Sequence, residues 1–511
     1  MSSAPTILRR LVAVLALSLL AAACTDGEDA TADETTTTSL GAPNEDEADG
    51  PIIELPDEDA PARGGAVVDG TEPEPPSASE LASVASLPGL LAVGAGGRLA
   101  VTTPDGTEVA VLAEAPDSFA TEAVWSPTGP DLAWVDVGPA GPSLTVTRGL
   151  GAEAEPIEPA TLASPVEGGV PFYLHWSPDG QRLGLLGDSS VGTGLDISLL
   201  TPGGSPQAVA SAVPLYFAWS LSGEELAFHF DGARVSRLVL GPPTPLPDAP
   251  ETHAADADGA AEETEPPAGS EEDGDEVEDD PDAALPRPEA VLTPSGAFTA
   301  PDWIDDRTLV VVAEEGLALL DVVTGQTEIL VEATEDVRFV VSPDRRRIAY
   351  HLPELNPDGV SLVSYTPIQE EQGPQISGLV VLDIDRRTIT QVSPSIPLSF
   401  EWSPDGSTLA WLANGFDGVV GRTGWSFWDG FEITLAEPYR VSALDEATVF
   451  PFFEQYAQSH SRWSPDGTAF AFAGVLDGRP DDEASGIWVH RVGTGGPSVR
   501  VATGDRVDWG G

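Results

Sequence analysis

The sequence contains no lysine. All 23 of its basic residues are arginine, set against 84 acidic residues, for a formal net charge of -61 over 511 residues. Without an amine side chain, Schiff-base chemistry and the lysine of a phosphate-binding P-loop are both excluded. The charge repels phosphate backbones and argues against nucleic acid as a partner. Cysteine is nearly absent as well. Cys24 is the single one, so no internal disulfide and no cysteine-ligated metal site can form. The 6 histidines are scattered. His175, His229, His351 and His490 fall in or beside expected strands, His253 in an acidic stretch and His460 next to an aromatic segment, and no two have metal-ligand spacing. No Asp-x-Asp-x-Asp-Gly loop with a glutamate at its twelfth place appears, so an ordered calcium site is not indicated. The sequence thus asks for no metal and no cofactor. Beyond residue 23, no apolar run approaches the ~20 residues that a membrane-spanning helix needs.

The first residues have the layout of an export signal. Arg9 and Arg10 precede the apolar run LVAVLALSLLAAA at 11–23, which is short for a membrane span. The stretch LAAAC, ending at Cys24, resembles the lipobox of bacterial lipoproteins. It departs from that pattern at Ala21, where leucine is commoner. The resemblance implies removal of residues 1–23, a lipid chain on the Cys24 sulfur, and an exported protein anchored to the outer face of the bacterial cell membrane. Residues 24–82 carry few large apolar groups and read as a disordered acidic tether. Residues 246–287, which include EEDGDEVEDD, have the same character and interrupt the folded region, 83–511. The two segments hold 33 of the 84 acidic residues, which leaves 51 against 19 arginines in the rest of the folded region. The folded region is therefore acidic in its own right.

What the sequence has in abundance is one motif. WSPDG occurs at 176–180, 402–406 and 463–467. Looser copies start at Val124 (VWSPTGPDLAWVD), Ala218 (AWSLSGEELAFHF), Asp302 (DWIDDRTLVVVA) and Val341 (VSPDRRRIAYHL), and the chain ends on VDWGG. Pro fixes φ at the second turn position, Asp suits the third and Gly accepts the left-handed conformation, which makes Ser-Pro-Asp-Gly a hairpin turn. The apolar run after each turn reads as a buried strand, and the tryptophan before it ends the preceding strand. Seven of the 12 tryptophans occupy that place: Trp125, Trp176, Trp219, Trp303, Trp402, Trp463 and Trp509. Less regular turns are expected where Leu221 and Asp305 replace Pro, Val341 replaces Trp, and Arg307 and Arg345 replace Gly.

A further strand pair follows each copy, as in GLALLDVVTGQTEIL at 316–330 and SGLVVLDIDRRTITQVS at 377–393. Four short strands per repeat are the signature of a β-propeller. The pattern resembles the WD-like propeller repeats of the TolB family and of the propeller domains of prolyl oligopeptidases, and the resemblance covers most of residues 87–511. It implies a fold and is nearly silent on function. The expected architecture is all-β, with four-stranded blades. Residues 89–112 supply three strands, and VDWGG supplies a fourth inner strand, so the two chain ends close the ring. Eight blades take roughly 48 residues each, whereas seven would need about 55, above the usual ~40–50. Eight is favoured and seven is the alternative.

Alternation of strand direction puts the WSPDG turns and the acidic insertion on one face, and the long segments 352–376 and 437–461 on the other. In the second segment Phe450, Phe452, Phe453 and Tyr456, with His460 nearby, form the candidate binding face. FPFFEQYAQ reads as a helical turn packed on the ring, as an aromatic lip around the channel mouth, or as a seal for its own insertion. The tryptophans and phenylalanine of GWSFWDGFEITL read as a strand hairpin turning at Asp429-Gly430.

Function is weighed on these features. The first reading is a lipid-anchored, non-enzymatic binding or scaffold module of the cell envelope, with a protein, peptide or wall polymer as partner. The alternatives are a glycosidase-like envelope hydrolase using propeller-face carboxylates, or a regulatory sensor lipoprotein. No Gly-x-Ser-x-Gly elbow is present. Among 84 acids, no catalytic pair can be picked out.

Overall fold

The computed structural model describes residues 77–510 apart from 115–118, 152–160, 166–168, 190–193, 201–203, 213–214, 231–233, 241–290, 295–298, 333–336, 353–377, 415–422, 443 and 478–484. The signal, Cys24, the tether up to residue 76, the insertion at 246–287 with His253, and most of 352–376 lie outside the described residues.

Eight four-stranded antiparallel sheets follow one another around a ring. Their inner strands are Arg506–Gly510 (blade 1), Phe119–Trp125 (2), Tyr173–Trp176 (3), Leu215–Trp219 (4), Asp302–Trp303 (5), Arg338–Val341 (6), Pro397–Trp402 (7) and Tyr439–Val441 (8). Blade 1 is made from both ends of the chain. Leu90–Ala95 pairs with Arg506–Gly510 in the register Leu91↔Trp509 and Val93↔Val507, so the ring closes without an open inner edge. The connection that carries the acidic insertion joins the third and fourth strands of blade 4, as the sequence led us to expect. The blade 7 hairpin also turns at Asp429-Gly430, with the Asp429 carboxylate accepting the Phe431 and Glu432 amides at 2.9 and 2.8 Å.

The motif works twice over. Within a turn, the Ser hydroxyl and the amide two residues past the Asp both bond to the Asp carboxylate, as at Ser177–Asp179–Gln181 (2.5 and 3.0 Å) and Ser464–Asp466–Thr468 (2.7 and 3.1 Å). The Gly sits at φ 66 to 73° in four copies. Between blades, the Trp indole N–H donates to the carbonyl just ahead of the corresponding residue in the preceding blade. Trp176 reaches Val124 (3.2 Å), Trp219 reaches His175 (3.0 Å), Trp303 reaches Ala218 (3.3 Å), Trp402 reaches Val340 (3.2 Å) and Trp125 reaches Asp508 (3.3 Å). Trp509 donates instead to Pro88, at 3.0 Å. The Trp125 ring lies against the backbone of Gly510, where a Cβ would stand 2.3 Å from its Cγ. This requires glycine at that place.

Of the three copies expected to turn irregularly, two do not. Gly223 and Arg345 both close the usual turn, donating to Ser220 and Ser342 at 2.9 and 2.8 Å. Arg345 takes the left-handed conformation at φ 59°, at a cost of about 1–2 kcal/mol. The copy at Trp303 differs because it is one residue shorter, with the Ile304 amide bonded to Thr308 at 2.8 Å. Val341 gives blade 6 no indole to reach blade 5. Two left-handed arginines bridge that junction in its stead: Arg345 to Asp302 at 2.7 Å and Arg387 to Glu328 at 2.5 Å.

One boundary moves. Ala78–Val84 is a helix, α1, inside the stretch expected to be tether. Ser77 and Glu80 form a capping box at its start, a signal present in the sequence as Ser-Ala-Ser-Glu. The helix buries Val84 in the blade 8–blade 1 core.

The indole bonds make a direct prediction. Trp176→Phe loses a hydrogen bond and some packing, whereas Trp463→Phe loses only packing, because the Trp463 N–H has no partner. Urea unfolding should show Trp176→Phe to be the more destabilising by about 1 kcal/mol.

Candidate functional site

The aromatic segment enters the channel rather than lying on a face. The blade 8 inner strand pairs as far as Ser442, whose amide bonds to Ala473, and resumes at Arg462, whose carbonyl accepts from Ala471. Residues 444–461 therefore leave from within the strand that borders the axis, and the axis is the space open to them. Reading the segment as a strand connection placed it on the face opposite the WSPDG turns. The interruption of an inner strand moves it inside.

The excursion forms a plug. Helical turns run through Asp445–Phe452 into helix α2, Phe453–Ser459. Its bonds reach several inner strands or their approaches. Tyr173 donates to Gln455 (2.9 Å), Tyr456 to Phe172 (2.9 Å), Arg338 to Pro451 (2.9 Å) and Gln458 to Pro301 (3.0 Å). The structure brings the candidate residues together, inside the channel. Phe450, Phe453 and Tyr456 are buried. Phe453 packs on Phe400 with centroids 4.6 Å apart, Phe452 is half-buried against Tyr216, and His460 lies at the return, its Nδ1 2.6 Å from the Ser459 hydroxyl.

Buried ion pairs tie plug to ring. Arg462 spans Glu401 (3.2 Å) and Asp445 (3.4 Å), and beside it Arg506 pairs with Glu122 across blades 1 and 2. Asp508 is the junction. One carboxylate oxygen accepts the Ser461 amide at 2.7 Å and the other the Trp125 amide at 3.3 Å, while the Trp509 amide donates to Ser461 at 2.6 Å. A single side chain thereby joins the closing strand, blade 2 and the end of the plug. Sequence reasoning passed over these residues. For Glu401, Arg462 and Asp508 the signal was their place directly before the strand-ending Trp, shared with His175 and Asp302; Glu122, Asp445 and Arg506 carry no such mark.

Above the plug, on the face of the WSPDG turns, a funnel of about 540 Å³ opens. Its rim is apolar: Pro127, Pro178, Leu221, Pro343, Pro404 and Pro465, each the second residue of its turn. Its floor is the end of α2 and residues 458–461, with His175, Asp302, Glu401 and Asp508 around it. Burial, seconded by Arg345, drops His175 to about 3, and burial with Arg506 holds His460 well below its ordinary value. Both imidazoles are neutral at physiological pH. Among the described residues, no group of three or more His, Cys, Asp or Glu is placed to hold a metal ion, and no helix is long and apolar enough to cross a membrane.

Burial lifts the Asp508 carboxyl to about 7, against the opposing pull of the Ser461 and Trp125 amides and of Arg506. The folded protein keeps this proton where an unfolded aspartate has lost it. The favourable contribution is complete below about pH 4 and is lost as the pH rises through 7, a change on the order of 4 kcal/mol. Burial raises Glu401 and Asp445 in the same direction. Urea unfolding should therefore show lower stability at pH 8 than at pH 5, and Asp508→Asn should narrow that difference.

No protein-family model matches the chain, and neither does any curated protein. Solved structures do resemble it. A eukaryotic initiation factor shares 12% identity over 82% of this chain and 98% of its own, with a TM-score of 0.44. Oligogalacturonate lyase in complex with manganese shares 10% over 80% and 96%, at 0.41. TolB from Acinetobacter baumannii shares 11% over 77% and 66%, at 0.32. At such values the likeness says nothing of what this chain binds or does.

Proposed function

We propose that this protein is a lipid-anchored, non-enzymatic binding module of the cell envelope, acting on a protein, peptide or wall polymer, with the funnel as its recognition surface. The observation that carries this reading is the plug. It converts an axial hole into a cup with a built floor, on a ring whose closure makes the walls rigid. A concave site with apolar walls and a few convergent polar groups is the usual form of a binding site. The aromatic cluster at 450–456 then serves recognition indirectly, by holding the floor in place. A sensor lipoprotein would use the same cup and differ only in what binding triggers.

A hydrolase reading rests on one feature: Asp302, Glu401 and Asp508 line the same cup, and Asp508 has a value suited to a general acid. Against it, the Asp508 oxygens already accept two backbone amides, and Asp302 and Glu401 are paired with Arg345 and Arg462.

Two substitutions test the reading. Cys24→Ser should move the protein from the membrane fraction to the soluble fraction on cell fractionation. Leu221→Arg places a long charged side chain at an exposed rim position. It should leave the unfolding midpoint within about 1 °C and remove partners that the native protein captures from envelope membranes. Equal capture by both proteins would refute the funnel as the binding surface, and turnover of a wall glycan by the purified protein would favour the hydrolase.

A further inference from the structure

The funnel's own chemistry narrows what it can take. The titratable carboxyls of its floor are already engaged: Asp302 by Arg345, Glu401 by Arg462, and Asp508 by two backbone amides. A charged group arriving from a ligand would be buried without a partner, which is strongly unfavourable. The hydrogen-bonding capacity left over is uncharged. The unpartnered Trp463 Nε1 and His175 Nδ1 belong to residues lining the funnel but are themselves buried beneath its surface. The rim above them is proline and leucine.

Outside the rim the character reverses. Each regular WSPDG turn carries its Asp at the third place, one residue beyond the rim proline. Asp179, Asp405 and Asp466 are exposed or half-exposed, and none has an arginine partner among the described residues. They bond to hydroxyls and backbone amides of their own turns, which fixes their position and leaves their charge facing solvent. They stand on blades 3, 7 and 8, around an uncharged cup, in a chain whose formal net charge is -61.

We propose that the funnel receives an uncharged, apolar segment of a protein partner whose flanking residues are basic and rest on the turn carboxylates. This rests on the funnel being a binding surface, as argued above, and adds the partner's chemistry. The inserted segment contacts the rim prolines and Leu221. The flanks supply long-range attraction and orientation, which salt screens.

The test uses synthetic peptide libraries with a randomised, uncharged six-residue core between fixed Arg-Arg, Ser-Ser or Asp-Asp flanks, bound to the full-length, detergent-solubilised protein. Recovered cores are resynthesised with each flank and their Kd measured at low and high salt. The variant D179N/D405N/D466N keeps an acceptor oxygen for each turn bond and removes three charges. Arg-flanked peptides should bind ~10-fold or more tightly than Asp-flanked ones at low salt. The triple variant should shrink that ratio to about 3-fold or less, while the Ser-flanked Kd stays unchanged. Equal Kd values whatever the flanks, or a flank preference that the triple variant keeps, would overturn this inference and leave the binding role standing. No binding from any library, or binding indifferent to Leu221→Arg, would overturn both.

Discussion

The indole N–H of a strand-ending tryptophan, bonded to the carbonyl of the blade before it, is the contact that joins neighbouring sheets at five of the eight junctions of the ring. Each blade is a small sheet that cannot bury both faces alone, so its stability depends on registry with its neighbours. The bond fixes that registry at the inner strand, where the blades are closest. It also explains why the motif puts a large polar-tipped ring there and not merely a large ring. Where Val341 breaks the sequence of bonds, two arginines held in a left-handed conformation cross the same junction. That conformation is costly for a side chain, and here the local strain maintains a contact that five other junctions make through an inter-blade indole bond.

The fold was legible because its signals are local. Ser-Pro-Asp-Gly dictates a turn through the φ of Pro and Gly and the acceptor capacity of Asp, and the alternating runs beside it dictate strands. Closure was legible because VDWGG is half a motif, and Leu90–Ala95 lacks the inner strand that Arg506–Gly510 supplies. The candidate site was legible in composition and not in position. Phe450, Phe452, Phe453 and Tyr456 stand out as a cluster, but whether an insertion points outward or inward depends on which strand it interrupts. Pairing of Tyr439–Val441 and of Trp463 with one partner strand is a tertiary fact. The same holds for Glu401, Arg462 and Asp508, which lie far apart in sequence and meet only around the axis. Regular turns at Leu221 and Arg345 show that the motif tolerates loss of Pro, or of Gly, when the Ser and the closing bond remain.

The plug follows from the width of the ring. Eight inner strands enclose more space than their side chains fill, and the chain fills it with an excursion of its own. Aromatic groups supply the packing. Arg462, Arg506 and their carboxylate partners supply the specificity, since buried charges are tolerated only in the pairings that satisfy them. Asp508 connects this arrangement to closure, because the strand that completes blade 1 also anchors the end of the plug. Ring, plug and funnel floor are thus one cooperative unit, and the funnel's shape depends on the last residues of the chain.

Amide hydrogen exchange compared between Arg506–Gly510 and the inner strands Pro397–Trp402 and Leu215–Trp219 tests that dependence most directly. If closure holds the ring together, the terminal strand exchanges only through global opening, with the same protection free energy and the same denaturant dependence as the other two. Exchange of the terminal strand at the rate of a fraying chain end, with the other inner strands still protected, would contradict the account.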